Sequence, residues 1–134
     1  MGTRAYIGIK DTDNSVRYIY NQCDGGLYNL GHLLRKYFKN VDDIDKLILN
    51  GDVSSVQTKE TYHELINDGY SDPAEWNEIA GCMVHDLAGK EDGYETTDDF
   101  NAIMGGMICY GYLYDTSDGV WYYTKGNGLN PLRT

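Results

Sequence analysis

Six carboxylates fall within fourteen residues of this 134-residue chain: Asp86, Glu91, Asp92, Glu95, Asp98 and Asp99, with Lys90 the one offsetting charge among them. Tyr94 lies in the same stretch and Tyr70 a little upstream. Carboxylates spread along a surface can stand where nucleic-acid phosphates would. A groove of arginines and lysines accepts them by charge-assisted hydrogen bonds. Tyrosine adds contact area at low entropic cost. The residues expected to bind a partner are therefore Asp86, Glu91, Asp92, Tyr94, Glu95, Asp98 and Asp99. The plainer reading of the same residues is a solvated acidic loop that keeps the chain in solution.

Other spacings carry less. Cys82 and His85 have a Cys-x-x-His separation, and Cys23, His32 and His63 could supply further zinc ligands, but no second pair has zinc-finger spacing. Asp11, Asp13 and Ser15 echo the start of a calcium loop, yet Val16 stands at its sixth position and Gln22 at its twelfth, where glycine and an acid are required. Cys23 adjoins Asp24, and a nearby carboxylate raises a thiol pKa rather than activating it. Cys109 lies in a strand between Ile108 and Tyr110 and is expected to be packed. The adjacent acids Asp42/Asp43, Glu91/Asp92 and Asp98/Asp99 read as solvated faces rather than acid–base pairs. Neither Gly25-Gly26 nor Gly105-Gly106 has a phosphate-loop sequence. No enzyme, resident metal or cofactor is expected on these grounds.

Charge is divided along the chain. Residues 1–40 carry six basic and three acidic side chains, residues 41–118 three basic and eighteen acidic, and the last sixteen add Lys125 and Arg133, for a net charge of −10. That field disfavours direct binding of DNA or RNA and favours a basic protein surface. No apolar run has the ~20 residues of a membrane helix, and the start has no signal-peptide pattern. Gly2 lacks the downstream Ser or Thr of a myristoylation site, Tyr6 standing there instead. Three widely spaced cysteines fit a reducing compartment, so the expected location is cytoplasmic.

The elements that must hold these residues begin with two tyrosine-, isoleucine- and valine-rich runs, 4–10 and 15–22, joined by Asp11-Thr12-Asp13-Asn14: a β-hairpin. Apolar positions 27, 30, 33, 34, 37 and 38 have helical spacing. Asn40 is placed to cap a second helix ending at Asn50-Gly51. A third helix spans 58–68, with Thr61 and Glu64 as a capping box. Asp72-Pro73 opens a fourth, carrying Trp76, Ile79, Ala80 and Met83, while 82–87 reads equally as helix or strand. After an acidic loop over 90–99, Thr97 caps a short turn. A second hairpin joins 107–114 to 120–124, with Tyr110, Tyr112 and Tyr114 on one face. The expected fold is a single α+β domain over 1–134: an antiparallel sheet of about four strands built from two hairpins, with helices packed on one face and a tyrosine-rich face partly open.

Gly2-Thr3-Arg4, Ile7-Gly8-Ile9, Val16-Arg17-Tyr18-Ile19-Tyr20, Asp24-Gly25, the helix with Leu33-Leu34 and Tyr37, and Gly51-Asp52-Val53-Ser54-Ser55 resemble a group of small phage and prophage accessory proteins. These share a Met-Gly-Thr-Arg start and an Asp-Gly after the second strand. The aromatic hairpin Tyr112-Leu113-Tyr114 with Trp121-Tyr122 is similar to their C-terminal end. Where that group tends to have His-Trp before the Asp-Gly, this chain has Gln22-Cys23.

The resemblance implies phage origin and a host-cell location. By analogy with acidic phage accessory proteins, it implies inhibition of a bacterial defence system in the manner of an anti-CRISPR, by steric occlusion or nucleic-acid mimicry. The expected partner is a basic host protein, a nucleic-acid-binding defence effector. A small-molecule binder or sponge for a nucleotide signal, with Arg4 and Arg17 facing a phosphate, is the alternative; a small metal-dependent enzyme comes last. Hairpin edges and an open aromatic face also fit a symmetric homodimer.

Overall fold

Alternating burial in Arg4–Lys10 and Val16–Asn21 produces the first hairpin, strands β1 and β2, in register from Ala5↔Asn21 to Lys10↔Val16. The computed structural model describes residues 3–69, 76–86 and 93–132, without the side chain of Leu65. Beyond β2 come helices α1 (His32–Tyr37) and α2 (Val41–Asn50), strand β3 (Val53–Gln57) and helix α3 (Lys59–Asn67). Strands β4 (Trp76–Ile79), β5 (Cys82–Asp86), β6 (Glu95–Thr97), β7 (Ile108–Asp115), β8 (Val120–Thr124) and β9 (Asn130–Pro131) complete the order.

Among the described residues, nine strands form one mixed sheet in the order β4-β5-β3-β2-β1-β7-β8-β9, with β6 paired to β2. This corrects the expected four-strand antiparallel sheet. The two hairpins exist, but they meet through a parallel ladder of β1 on β7, from Arg4↔Ile108 to Lys10↔Asp115. A second parallel contact joins β2 to β3 at Asn21↔Val53. Strand identity is a local property, whereas a parallel neighbour depends on the long connection between strands.

The main core lies between the sheet and helices α1 and α2. Ile7, Ile9, Ile19, Val53, Val84, Tyr112 and Trp121 face Leu30, Leu33, Leu34, Phe38, Ile44, Leu47 and Ile48. The β7 tyrosines are therefore not the open ones: Tyr112 and Tyr114 are buried in this core. Asn40 caps α2 as expected, its Oδ1 accepting from the Asp43 amide, and Gly51 ends the helix at φ 90°.

On the opposite face, Phe100 packs on Val16 and Leu113. Glycine is required beneath it: a Cβ at Gly111 would lie 2.8 Å from the Phe100 ring, and one at Gly8 2.9 Å. Helix α3 reaches this face too. Tyr62 packs edge-on to Trp76, which stacks on His85, while the alternate residue Val84 points into the main core. Helices therefore occupy both faces, not one.

The expected fourth helix is replaced by the β4–β5 hairpin, paired from Trp76↔His85 to Ile79↔Cys82. Its turn places Ala80 at φ 53° and Gly81 at φ 77°, the doubly positive geometry of a tight hairpin turn. Gly81 thus separates two strands instead of lying within a helix. Asp72 and Pro73 lie outside the described residues. The cap of α3 is Thr58, whose hydroxyl accepts from the Thr61 amide, in place of Thr61 itself.

Candidate interaction surface

One edge of β2 is shared by two strands. Strand β6 takes Val16–Tyr18 antiparallel, and β3 takes Asn21. Between them the Tyr20 amide is satisfied by Asp52 Oδ1 at 3.0 Å, a side chain standing in for the missing strand. Of the acidic residues singled out in the sequence, Glu95 lies on the strand that takes part of this edge, and Asp98 and Asp99 follow it in the chain.

Glu95 is exposed on β6 and accepts from the Tyr18 hydroxyl at 3.2 Å. Burial of the ring, with help from the Glu95 carboxylate, pushes the Tyr18 phenol up to about 12. Tyr18 belongs to a cluster with Tyr6 (ring centres 5.1 Å apart) and Phe100 (6.3 Å), and Tyr6 also meets Tyr20 at 6.3 Å. The partly open tyrosine face is thus built from β1 and β2.

Asp98 and Asp99 are exposed in the turn that follows β6. Thr97 Oγ1 accepts from the Asp99 amide at 3.1 Å, and Asp99 Oδ1 accepts from the Ala102 amide at 3.3 Å. The turn is held by its own polar groups, with Phe100 anchoring it to the sheet. Asp86 is exposed at the end of β5, where its two carboxylate oxygens accept from Asn50 and Asn77, each at 2.8 Å. Tyr94 is exposed on the other side of β6 from Glu95, with the Arg17 guanidinium 5.4 Å from its ring centre. Glu95, Asp98 and Asp99 therefore follow one another along one strand and turn, Asp86 stands on β5 beyond β3, and Tyr94 meets Arg17 instead. Glu91 and Asp92 lie outside the described residues.

Arg17 is not available to a phosphate. Its Nε and Nη2 donate to the two Asp11 oxygens at 2.9 Å each, and Nη2 also donates to Asp45 at 2.6 Å. Hydrogen bonding to Asp11, opposed by burial, raises its already high pKa further. This removes Arg17 from the expected nucleotide pocket; Arg4 is directed at the Met107 sulfur, 3.4 Å away. The Cys82/His85 pair fails as a zinc half-site for a geometric reason. Positions three apart on a strand face opposite sides: Cys82 is fully buried in the core, and His85 stacks on Trp76. No cluster of three or more metal-ligating side chains occurs among the described residues.

A second region was missed in the sequence. Asp24, Tyr28, Asn29, His32, Lys36 and Gln57 line a cleft of about 400 Å³ between α1 and the start of α3. The one local signal was Asp24-Gly25 itself, a strand terminator that also turns out to shape a concavity. No known protein family, curated protein or solved structure matches this chain. Among the described residues, no helix is long and apolar enough to cross a membrane.

Proposed function

We propose that this chain is a phage-encoded acidic binding protein that inhibits a bacterial defence effector, docking its Glu95–Asp98–Asp99 surface against a basic nucleic-acid-binding groove. The observation that carries the reading is the placement of these three exposed carboxylates on an anchored strand and turn at the rim of a half-buried tyrosine cluster. Carboxylates held in a fixed pattern can pair with arginines and lysines without ordering a loop first. The net charge of −10 adds long-range attraction to such a groove. The phage origin rests on the N-terminal resemblance.

Affinity capture from bacterial host lysate, with the purified chain as bait, tests the reading. A basic nucleic-acid enzyme should be recovered, and duplex DNA added in excess should displace it. Reversing Glu95, Asp98 and Asp99 together to lysine should abolish recovery and slow association of the purified pair, with a flatter salt dependence. Recovery unchanged by that triple reversal would remove the acidic surface from the interface. Recovery that responds to the reversal but never to DNA would leave occlusion and exclude mimicry.

A further inference from the structure

The segment that follows β2 is shaped with unusual care. Asp24 sits at φ 58°, a left-handed conformation that aspartate adopts more readily than most residues. Gly25 follows with no room for a side chain, since a Cβ would lie 2.7 Å from the Thr3 carbonyl and 2.8 Å from the Ala5 Cβ. The buried Tyr112 hydroxyl donates to the Gly25 carbonyl at 2.6 Å. Leu27–Gly31 then forms one π-helical turn, in which the Gly31 amide donates to the carbonyl of Gly26, five residues back. Turns of this kind are rare and are frequently found at functional sites.

What this shape presents is a cleft. Its floor holds Gln57, only 8% exposed, whose amide donates to Asp24 Oδ2 at 3.2 Å. Its mouth holds Tyr28, which is 84% exposed, and Asn29. Its far wall is α1, with His32 and Lys36, and these two side chains also line an adjoining depression of about 320 Å³ that continues to Lys39. The lining therefore combines a carboxylate steadied by Gln57, with Oδ1 and a second lone pair of Oδ2 still open to a ligand, the α1 cation Lys36, an exposed aromatic ring, and a further acid, Glu60, from α3. The volume of about 400 Å³ lies within the range of small-molecule sites, roughly 300–1,000 Å³.

We infer that this cleft binds a guanine nucleotide, the base edge on Asp24, the ring on Tyr28 and the phosphate on Lys36 and Lys39. A carboxylate offers two acceptor oxygens side by side. Guanine is the base whose edge presents two adjacent donors, N1–H and the N2 amino group, so it matches Asp24 better than uracil does. An exposed tyrosine provides a stacking platform for any base, and lysine ammonium groups take phosphate as point charges. The site is on different elements from the acidic surface, and the two proposals stand or fall separately.

The test is binding of the four ribonucleoside 5′-monophosphates, guanosine and inorganic phosphate to the full chain, followed by backbone amide NMR shifts and thermal melting. Guanosine monophosphate should bind most tightly, shift the amides of residues 24–36, and raise the melting temperature more than guanosine or phosphate alone. Lys36→Glu and Tyr28→Ala alter exposed side chains, so both variants should fold normally and each should weaken binding about tenfold. Asp24→Asn, which keeps the size and tolerates the left-handed backbone, should erase the preference for guanine over uracil while leaving phosphate binding. Equal response to phosphate and to every nucleotide would overturn the base half of the assignment. No amide shift at 24–36 with any probe at millimolar concentration, or binding unaffected by the three substitutions, would overturn it entirely.

Discussion

The Tyr18 hydroxyl donates to Glu95 Oε2 across 3.2 Å, and this bond ties the short strand β6, with its carboxylates, to the centre of the sheet. Burial and the adjacent carboxylate both favour the neutral phenol, so its pKa moves from 10.0 up to about 12. A group whose pKa is raised by folding contributes stability that is fully present below its unfolded value and lost as pH rises through the folded one. Stability should therefore fall between pH 10 and 12. Ultraviolet titration should show a tyrosinate transition near 12 that Tyr18→Phe removes. Glu95→Gln should lower that transition but leave it above 10.0, because burial, the largest single cause, remains. A Tyr18 that titrates normally would mean that β6 is not seated on β2.

Arg17 joins the β1–β2 turn to α2 through Asp11 and Asp45, with only 19% of its side chain exposed. Charge-assisted hydrogen bonds of this kind contribute more than exposed ion pairs. Arg17→Ala should cost about 2 kcal/mol in urea unfolding, and Asp45→Asn about 1 kcal/mol. In a double-mutant cycle the two costs should fall short of additive, since both remove the same bond. Additive costs would show that the contact is not made in solution.

Phe100 needs the two glycines beneath it. Gly111→Ala puts a methyl group 2.8 Å from the ring and within 2.9 Å of the Met104 sulfur. Overpacking of this size should destabilise by about 1–3 kcal/mol. It should also speed proteolysis between residues 93 and 106, where the acidic turn depends on that anchor. Combining Gly111→Ala with Phe100→Leu should recover part of the loss, because the collision is with the aromatic ring.

The three free thiols differ in exposure: Cys23 is half-buried, Cys82 fully buried, and Cys109 exposed rather than packed as its apolar neighbours suggested, because its strand position alternates with the inward-facing Tyr112 and Tyr110. Burial, with the Glu78 charge adding to it, pushes the Cys82 thiol up to about 11. A disulfide reagent at pH 8 should modify Cys109 first and Cys82 only at the rate of unfolding. Mass spectrometry of peptides taken during the reaction gives the order directly. Early labelling of Cys82 would contradict its place in the core.

Hairpins β1–β2 and β7–β8 and the capped helix at 41–50 were legible in the chain because their causes are local: alternation, turn residues, an Asn40 cap and Gly51. The stretch 76–86 misled for an equally physical reason. Trp76, Ile79, Ala80 and Met83 satisfy helical spacing, and an Ala80-Gly81 hairpin turn lacks the Asn-Gly or Asp-Gly that would announce it. The acidic run was visible, but not which carboxylates would stand together, since that depends on β6 and β3 sharing one edge of β2. The cleft was invisible because Asp24, Lys36 and Gln57 come from three separate elements.

From the order of residues alone came the first and last hairpins, the helix at 41–50 and the excess of negative charge, all consequences of side-chain type and short-range spacing. Only the tertiary structure decided that β1 pairs in parallel with β7, that Arg17 is consumed by Asp11 and Asp45, and that Cys82 and His85 point apart. Those outcomes turn on contacts between segments distant in the chain, whose neighbours are chosen by packing and loop closure rather than by any local preference.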